Sequence, residues 1–370
     1  MSNADLDGLR SELRGFLKER LVDYPPVKRA WSWMGVDPAF SKELGARGWI
    51  GMTWPKRYGG HERGSMERYT VLEELLAVGA PVGAHWTADR QSGPLLLRFG
   101  TEDQRQRYLP AMARGELFFC IGMSEPQAGS DLAAVKTRAV RDGGGWRVNG
   151  AKLWTTNATS AQMMITLVRT GEGSQRQEGL SQLIIDLSSP GITVRPIRDL
   201  AGESHFNEVF LDDVFVPDAQ FVGEEGGGWK QVMSELALER SGPERYLSSI
   251  QALIAFLRVL GPQPEEPMRG LVGQLTARLW TLRQMSKAVA ARIDAGEDAG
   301  LDASIVKSLG ADLEQDMPRL IQAMSNGDMT DETDLTQVLS LLLKESPSFS
   351  LRGGTREILK GIVARGIGLR

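Results

Sequence analysis

The hydrophobic period of this chain changes twice, and that change limits the fold more than any single residue does. Up to about residue 117, apolar residues recur at helical spacing. Leu9, Leu13, Phe16, Leu17 and Leu21 mark one face of a helix predicted over Leu6 to Val22, which Pro25 and Pro26 break. Further helical patterns cover Phe40 to Ala46, Tyr69 to Val78 and Gln104 to Arg114, with a loop at Trp54 to Gly60. From Phe118 to Gly223 short β-rich runs alternate with turn residues: Met163 to Val168, Gln182 to Asp186, Ile192 to Ile197 and His205 to Leu211. Gly145 to Gly150, followed by Ala151 to Asn157, reads as strand, turn, strand, with Asn149-Gly150 as the hairpin signal. After Glu224 to Gly228 the helical period returns, with Trp229, Val232, Met233 and Leu236 on one face. It continues, interrupted by the proline-rich loop Gly261 to Pro267, to the C-terminus. The expected fold class is α+β and multi-domain: helices over 1–117, a compact β-domain over 118–223 and a helical bundle over 224–370.

A chain of 370 residues is long enough for two or three such domains. The net charge is −4 and no large basic block is present, so no nucleic-acid partner is expected. Cys120 is the single cysteine, which excludes an internal disulfide and a cysteine-built zinc cluster and suits a reducing cytoplasm. His61, His85 and His205 lie far apart without metal-ligand spacing and read as surface or hydrogen-bonded histidines, so no metal is expected. Met1 to Arg20 lacks the apolar core of a signal peptide, and no apolar run approaches a membrane span. A cytoplasmic location is therefore expected.

The segment Gly122-Met123-Ser124-Glu125-Pro126-Gln127-Ala128-Gly129-Ser130-Asp131 combines a proline, two glycines and several hydroxyl and acid side chains. Proline fixes one backbone angle, and glycines such as Gly129 permit close approach or a positive φ. Such a loop suits the presentation of amides and hydroxyls to a planar, acceptor-rich ligand, and equally suits a surface turn. The segment resembles the S/T-E-P-x-A-G-S-D signature of the acyl-CoA dehydrogenase family of flavoproteins. Other motifs agree in order: Gly48-Trp49 with Pro55 and Tyr58-Gly59-Gly60; Tyr108-Leu109-Pro110 with Gly115-Glu116; Phe210 to Pro217; Gly223 to Gly226 with Gly228-Trp229; and Arg352-Gly353-Gly354-Thr355-Arg356-Glu357-Ile358. The resemblance implies an N-terminal helical domain, a central small β-barrel or sandwich and a C-terminal four-helix bundle.

It also implies FAD as cofactor and α,β-dehydrogenation of an acyl-CoA thioester. The α-hydrogen leaves as a proton to a carboxylate, and the β-hydrogen leaves as a hydride to the flavin. By family position, the Met123 backbone, Ser124 and Ser130 serve the pyrimidine edge of the flavin, and Gly129 counts with them among the cofactor-binding residues. Trp154 and Thr156 back its ring, and Thr355 and Glu357 lie towards its linker and adenosine. Read without the family, Trp154 is a core aromatic on a strand, and Ser130 and Thr355 are helix caps. His85-Trp86 and Arg90-Gln91 are either pocket lining or ordinary helix residues.

Most family members carry the base just before the Gly-Thr of the C-terminal segment, where this chain has Gly353. A minority, including isovaleryl- and long-chain-type enzymes, carries it on the helix after the β-domain, here at Glu239, with Arg240 as its neighbour. Pro243 cannot donate to the Glu239 carbonyl, so a kinked helix is expected there, with Gly242 adding freedom. Glu239 also reads as one of several surface acids, with Arg240 and Glu244 spaced as an i,i+4 pair. Glu244 is the reserve candidate. Two family motifs that reach the flavin diphosphate, R-x-Q-F-G and Q-x-x-G-G-x-G, are missing, and the pattern resembles bacterial members that pair two unlike subunits, some acting on sterol side-chain CoA esters. The expected partners are an acyl-CoA, an electron-transfer flavoprotein and further subunits in a homo- or hetero-oligomer (dimer or tetramer). The competing functions are a non-catalytic partner subunit and, further off, a flavin oxidase acting on another substrate.

Overall fold

The structure is a computed structural model that describes residues 3–172, 175–238, 242–325 and 332–369. The chain forms two compact units that cut across its linear order. One comprises Met1–Gly35, Arg63–Val82 and Glu239–Arg370; the other comprises Val36–Glu62 and Gly83–Leu238.

The first unit is helical. Its helices are Asn3–Arg20, Pro26–Trp31, Ser65–Ala77, Ile250–Leu260, Met268–Asp294, Gly300–Met324, Asp334–Glu345 and Arg356–Gly366. Met268–Asp294 packs on Gly300–Met324, which also carries Ile250–Leu260 and Arg356–Gly366. Helix Ser65–Ala77 sits between Asn3–Arg20 and Met268–Asp294 and is buried on several sides, including Glu73 and Glu74. Buried carboxylates need partners. Arg283 grips Glu73 through two bonds of 2.6 and 2.9 Å, Arg14 grips Glu74 through two of 2.7 and 2.8 Å, and Arg10 reaches both. Tyr69 meets Tyr246 hydroxyl to hydroxyl at 2.6 Å and thereby ties this helix to the chain beyond Pro243.

The second unit holds the sheet. Its strands are β1 Phe119–Gly122, β2 Arg138–Asp142, β3 Gly145–Thr156, β4 Met163–Arg169, β5 Leu180–Asp186, β6 Ile192–Ile197, β7 Phe206–Pro217 and β8 Phe221–Val222. They form one continuous sheet in the order β6-β7-β3-β2-β4-β5-β8, with β1 parallel to β4. Met163 to Val168 are all buried, because β4 is covered on both faces. Met163 and Ile165 join Tyr108, Leu109 and Met112 of helix Glu102–Ala113 in one cluster, whereas Met164 and Val168 join Trp146, Val148 and Val209 in another.

Three expectations need correction. Asn149-Gly150 is not a hairpin: β3 runs straight through it, and the turn is Gly143-Gly144, which joins β2 to β3 with Asp142 opposite Gly145. Gly150 is required for another reason, since a Cβ there would lie 2.4 Å from Thr137 Oγ1 and 2.7 Å from its Cα. Met233 is 48% exposed, while Val232 is buried. The kink expected at Pro243 is instead a break: helix Gly228–Leu238 does not continue through Gly242, which is extended (φ −75, ψ 170), and Pro243–Arg245 opens a separate 3-10 turn. Proline at a first helical position loses no hydrogen bond, and that is the place it takes here.

Strands β3 and β7 carry two bulges. Between Val148 and Gly150, β7 holds one extra residue, and Asp213 adopts φ +52. Between Lys152 and Thr155, β3 holds one extra residue, and Trp154 adopts φ +60.

Candidate active site

In the sheet unit, the segment Met123 to Thr137 is tied to β3. Glu125 and Ala128 exchange backbone bonds of 2.9 and 3.0 Å, closing a turn around Pro126-Gln127. The Glu125 side chain points inward and is 3% exposed. It accepts from the backbone amides of Lys136 (2.7 Å) and Thr137 (2.9 Å), from Gln127 Nε2 (2.6 Å) and from Lys152 Nζ (2.8 Å). Lys152, fully buried on β3, also donates to the Met123 carbonyl at 3.3 Å. Next to it, Leu153 N donates to the Ser124 carbonyl at 2.9 Å. Burial alone would raise the Glu125 carboxyl; the Lys152 ammonium and the converging donors outweigh it and hold the group down at about 2. Burial pushes the Lys152 ammonium down to about 8, against the pull of Glu125.

This lacing leaves the opposite surface open. Trp154 is 53% exposed, so it is not a core aromatic. Its left-handed backbone turns it out of the β3 pleat, and Phe206 stacks edge-on to it at 5.7 Å. A bulky residue at positive φ is strained, and such strain gathers at functional sites. Ser124 and Thr156 are half-buried and Ser130 is exposed. Ser130 does not take the N-cap position of the next 3-10 turn, Leu132–Ala134, which belongs to Asp131. A Cβ on Gly129 would meet nothing within 4 Å, so space rather than packing surrounds it. A rigidly mounted, solvent-facing indole beside hydroxyls on a pinned loop fits the flat, acceptor-rich ring of a flavin.

The residues proposed to line a pocket are mostly buried. His85 shares a 2.8 Å hydrogen bond with Ser41 Oγ, and the Arg90 guanidinium lies 4.8 Å above the Trp86 ring. Arg90 and Gln91 fall in a π-helical turn, Ala88–Ser92, whose Asp89 accepts from Gly51 N at 2.8 Å.

In the helical unit, Thr355 caps helix Arg356–Gly366 by accepting from Ile358 N at 3.4 Å. Glu357 is exposed, and bonds from its own backbone amide and from Thr355 hold its carboxyl below the usual range. Gly353 adopts φ +64, and a Cβ there would lie 2.8 Å from Nη2 of Arg245, which is 2% exposed. A guanidinium therefore fills the direction in which a side chain at 353 would grow. Around it lie Glu244, Glu314 and Arg352. Arg352 Nη2 donates to Glu314 Oε2 (3.0 Å), Ser248 Oγ (2.7 Å) and the Glu244 carbonyl (3.2 Å), with its guanidinium over Trp33 and Phe349. Burial draws the Arg352 guanidinium down to about 10; Glu314 opposes this shift and Arg245 adds to it. Glu239 and Arg240 lie outside the described residues.

Sequence reasoning missed Lys152 and Arg245. The signal for Lys152 was present: counting by twos along β3 from the inward-facing Trp146 and Val148 reaches residue 152. Nothing local marks Arg245.

Comparison with known proteins shows the family and the fold. The family models for the N-terminal, middle and C-terminal domains of acyl-CoA dehydrogenase match residues 3–116, 120–214 and 226–368. The acyl-CoA dehydrogenase IpdE1 of Mycobacterium tuberculosis is 33% identical, over 97% of this chain and 96% of its own. Among solved structures, the Tcur3481-Tcur3483 steroid ACAD superposes with a TM-score of 0.89 at 29% identity, covering 100% of this chain and 99% of that one. The ChsE4-ChsE5 complex from Mycobacterium tuberculosis gives 0.86 at 28% identity, with 100% and 99% covered. Among the described residues no helix is long and apolar enough to cross a membrane. The chain belongs to the acyl-CoA dehydrogenase family, and its class of activity is that of an oxidoreductase acting on acyl-CoA thioesters.

Proposed function

We propose that this chain catalyses FAD-dependent α,β-dehydrogenation of an acyl-CoA to the 2-enoyl-CoA, with Glu239 as the base. One observation carries the choice of base: the C-terminal position has no side chain at Gly353, and the Arg245 guanidinium fills its place. The α-proton then needs a carboxylate elsewhere, and Glu239 holds the alternative family position, with Arg240 orienting it or the thioester end. A carboxylate in a water-poor cleft gains basicity, since burial disfavours its charged form. Bound FAD would supply the acceptor for the β-hydrogen, which leaves as a hydride. Met123, Ser124, Gly129 and Ser130 would hold its pyrimidine edge, Trp154 and Thr156 would back the ring, and Thr355 and Glu357 would serve the linker and adenosine side.

The relatives guide the assembly. A steroid ACAD and the ChsE4-ChsE5 complex are named as pairs, so a hetero-oligomer and a steroid-derived acyl group are our proposals for this chain. An electron-transfer flavoprotein would reoxidise the enzyme in the cytoplasm. The same paired relatives favour one second reading, a partner subunit that completes another chain's site and performs no chemistry itself.

The test is Glu239→Gln in the flavin-loaded oligomer, mixed anaerobically with a straight-chain acyl-CoA and with a steroid side-chain CoA ester. Flavin content should stay unchanged, and bleaching of the flavin band should slow by about 10²–10⁴-fold. Near-native bleaching would place the base elsewhere, with Glu244→Gln the next variant. A native oligomer that neither ester bleaches would favour the partner-subunit reading.

A further inference from the structure

We infer that Lys152 and Glu125 are positioning residues that lock the two proposed walls of the flavin site, the Met123–Ser130 loop and the Trp154–Thr156 strand segment, into one rigid body. The inference rests on the flavin reading above and adds two residues that this reading does not use.

The geometry is specific. Lys152 is the last paired residue of β3 before the bulge that turns Trp154 outward. Its ammonium crosses to the loop and binds both the Met123 carbonyl and the Glu125 carboxylate. One residue further along, the Leu153 amide binds the Ser124 carbonyl. Three bonds from the two consecutive residues that lead into the strand wall, Lys152 and Leu153, thus end on three consecutive residues of the loop. Glu125 in turn gathers the amides of Lys136 and Thr137, so the far end of the loop is held by the same carboxylate.

Burial explains why the pair is a lock rather than a surface contact. The two side chains are 0% and 3% exposed, so water does not compete for them. An ion pair in such a place adds little net stability over an apolar pair of similar volume, but losing one partner strands the other. Its lasting effect is geometric: Lys152 has a defined place only when Met123 and Glu125 are in theirs. A site that must hold a planar ring between a loop and a strand needs that spacing fixed before the ring arrives.

The experiment separates positioning from stability. Lys152→Met strands a buried carboxylate, so the paired variant Lys152→Met/Glu125→Gln carries the test, with Glu125→Gln alone as a second probe. Each is prepared in the oligomer that the native chain forms and titrated with FAD well below its thermal unfolding. The paired variant should recover most of the thermal stability lost in Lys152→Met. It should nevertheless bind FAD at least ten-fold more weakly, with a shifted visible flavin band and faster amide exchange across 123–137. Native FAD affinity, native spectrum and native exchange in the paired variant would overturn the inference while leaving the flavin reading intact. A native oligomer that takes up no FAD would sink the flavin reading itself, and this inference with it.

Discussion

Two buried charge clusters, the Lys152–Glu125 pair of the sheet unit and the one around Arg245 and Arg352 in the helical unit, are built on opposite plans. In the sheet unit a lysine meets a glutamate, and the glutamate's remaining capacity is filled by two backbone amides and a glutamine. In the helical unit two arginines, Arg245 and Arg352, share the interior with Glu244 and Glu314, and Arg352 spreads one nitrogen over a carboxylate, a hydroxyl and a carbonyl. The first plan holds a spacing between two strips of backbone. The second fills the room around Gly353 with positive charge and ties the chain after Pro243 to helix Gly300–Met324 and to the C-terminal segment. Charge is therefore used in one place to align and in the other to occupy.

The contrast predicts different responses to mutation. The largest expected effect on stability is Arg352→Met, which leaves Glu314 buried without its guanidinium and should cost about 3–5 kcal/mol in urea unfolding. Lys152→Met belongs to the same range. The sharper comparison is between paired variants: Lys152→Met/Glu125→Gln should recover most of the loss, whereas Arg352→Met/Glu314→Gln should recover little, because Arg245 and Glu244 keep their charges in the same interior. Equal recovery would erase the distinction between the two plans. A smaller loss, about 1–3 kcal/mol, is expected for Gly353→Ala from the left-handed backbone and the displaced Arg245. Thr355→Ala should cost about 1 kcal/mol through its helix cap, and a loss of FAD beyond that would show that Thr355 also touches the cofactor.

The last prediction concerns a slope. The Glu125 carboxyl titrates lower in the folded chain, at about 2, than its ordinary value of 4.5. Its contribution is fully present above that ordinary value and is lost as pH falls towards 2. Glu125→Gln should therefore flatten the fall of the urea midpoint between those two pH values, and an unchanged slope would mean that the pair does not survive in solution.

The architecture was legible because period and length act locally. Leu9, Leu13, Leu17 and Leu21 are all buried on helix Asn3–Arg20 or just beyond it, as their spacing requires. The signature loop was legible as a family motif by resemblance. Three things were hidden, each for a physical reason. Asn149-Gly150 carries a strong local turn signal, yet β7 supplies partners on both sides of it, and long-range pairing overrides local preference. Pro243 was read as a bend within one helix, because sequence does not distinguish a proline inside a helix from one that begins the next turn. Arg245 was invisible because its role depends on what lies across the fold, at residue 353, more than a hundred positions away.

The paired irregularities of β3 and β7 have a consequence for how this molecule tolerates change. Residue numbers across the ribbon sum to 362 from Gly145↔Pro217 to Val148↔Val214, to 361 from Gly150↔Leu211 to Lys152↔Val209, and to 362 again from Thr155↔Asn207 onward. The insertion on one strand is repaid by the insertion on the other, so the ribbon leaves in the phase in which it entered. Deleting either extra residue alone would throw the far end out of step, whereas deleting both would restore phase and set the indole back into the pleat. The outward-facing indole is in this sense a removable loop of slack, and a lineage could gain or lose it only by two matched events.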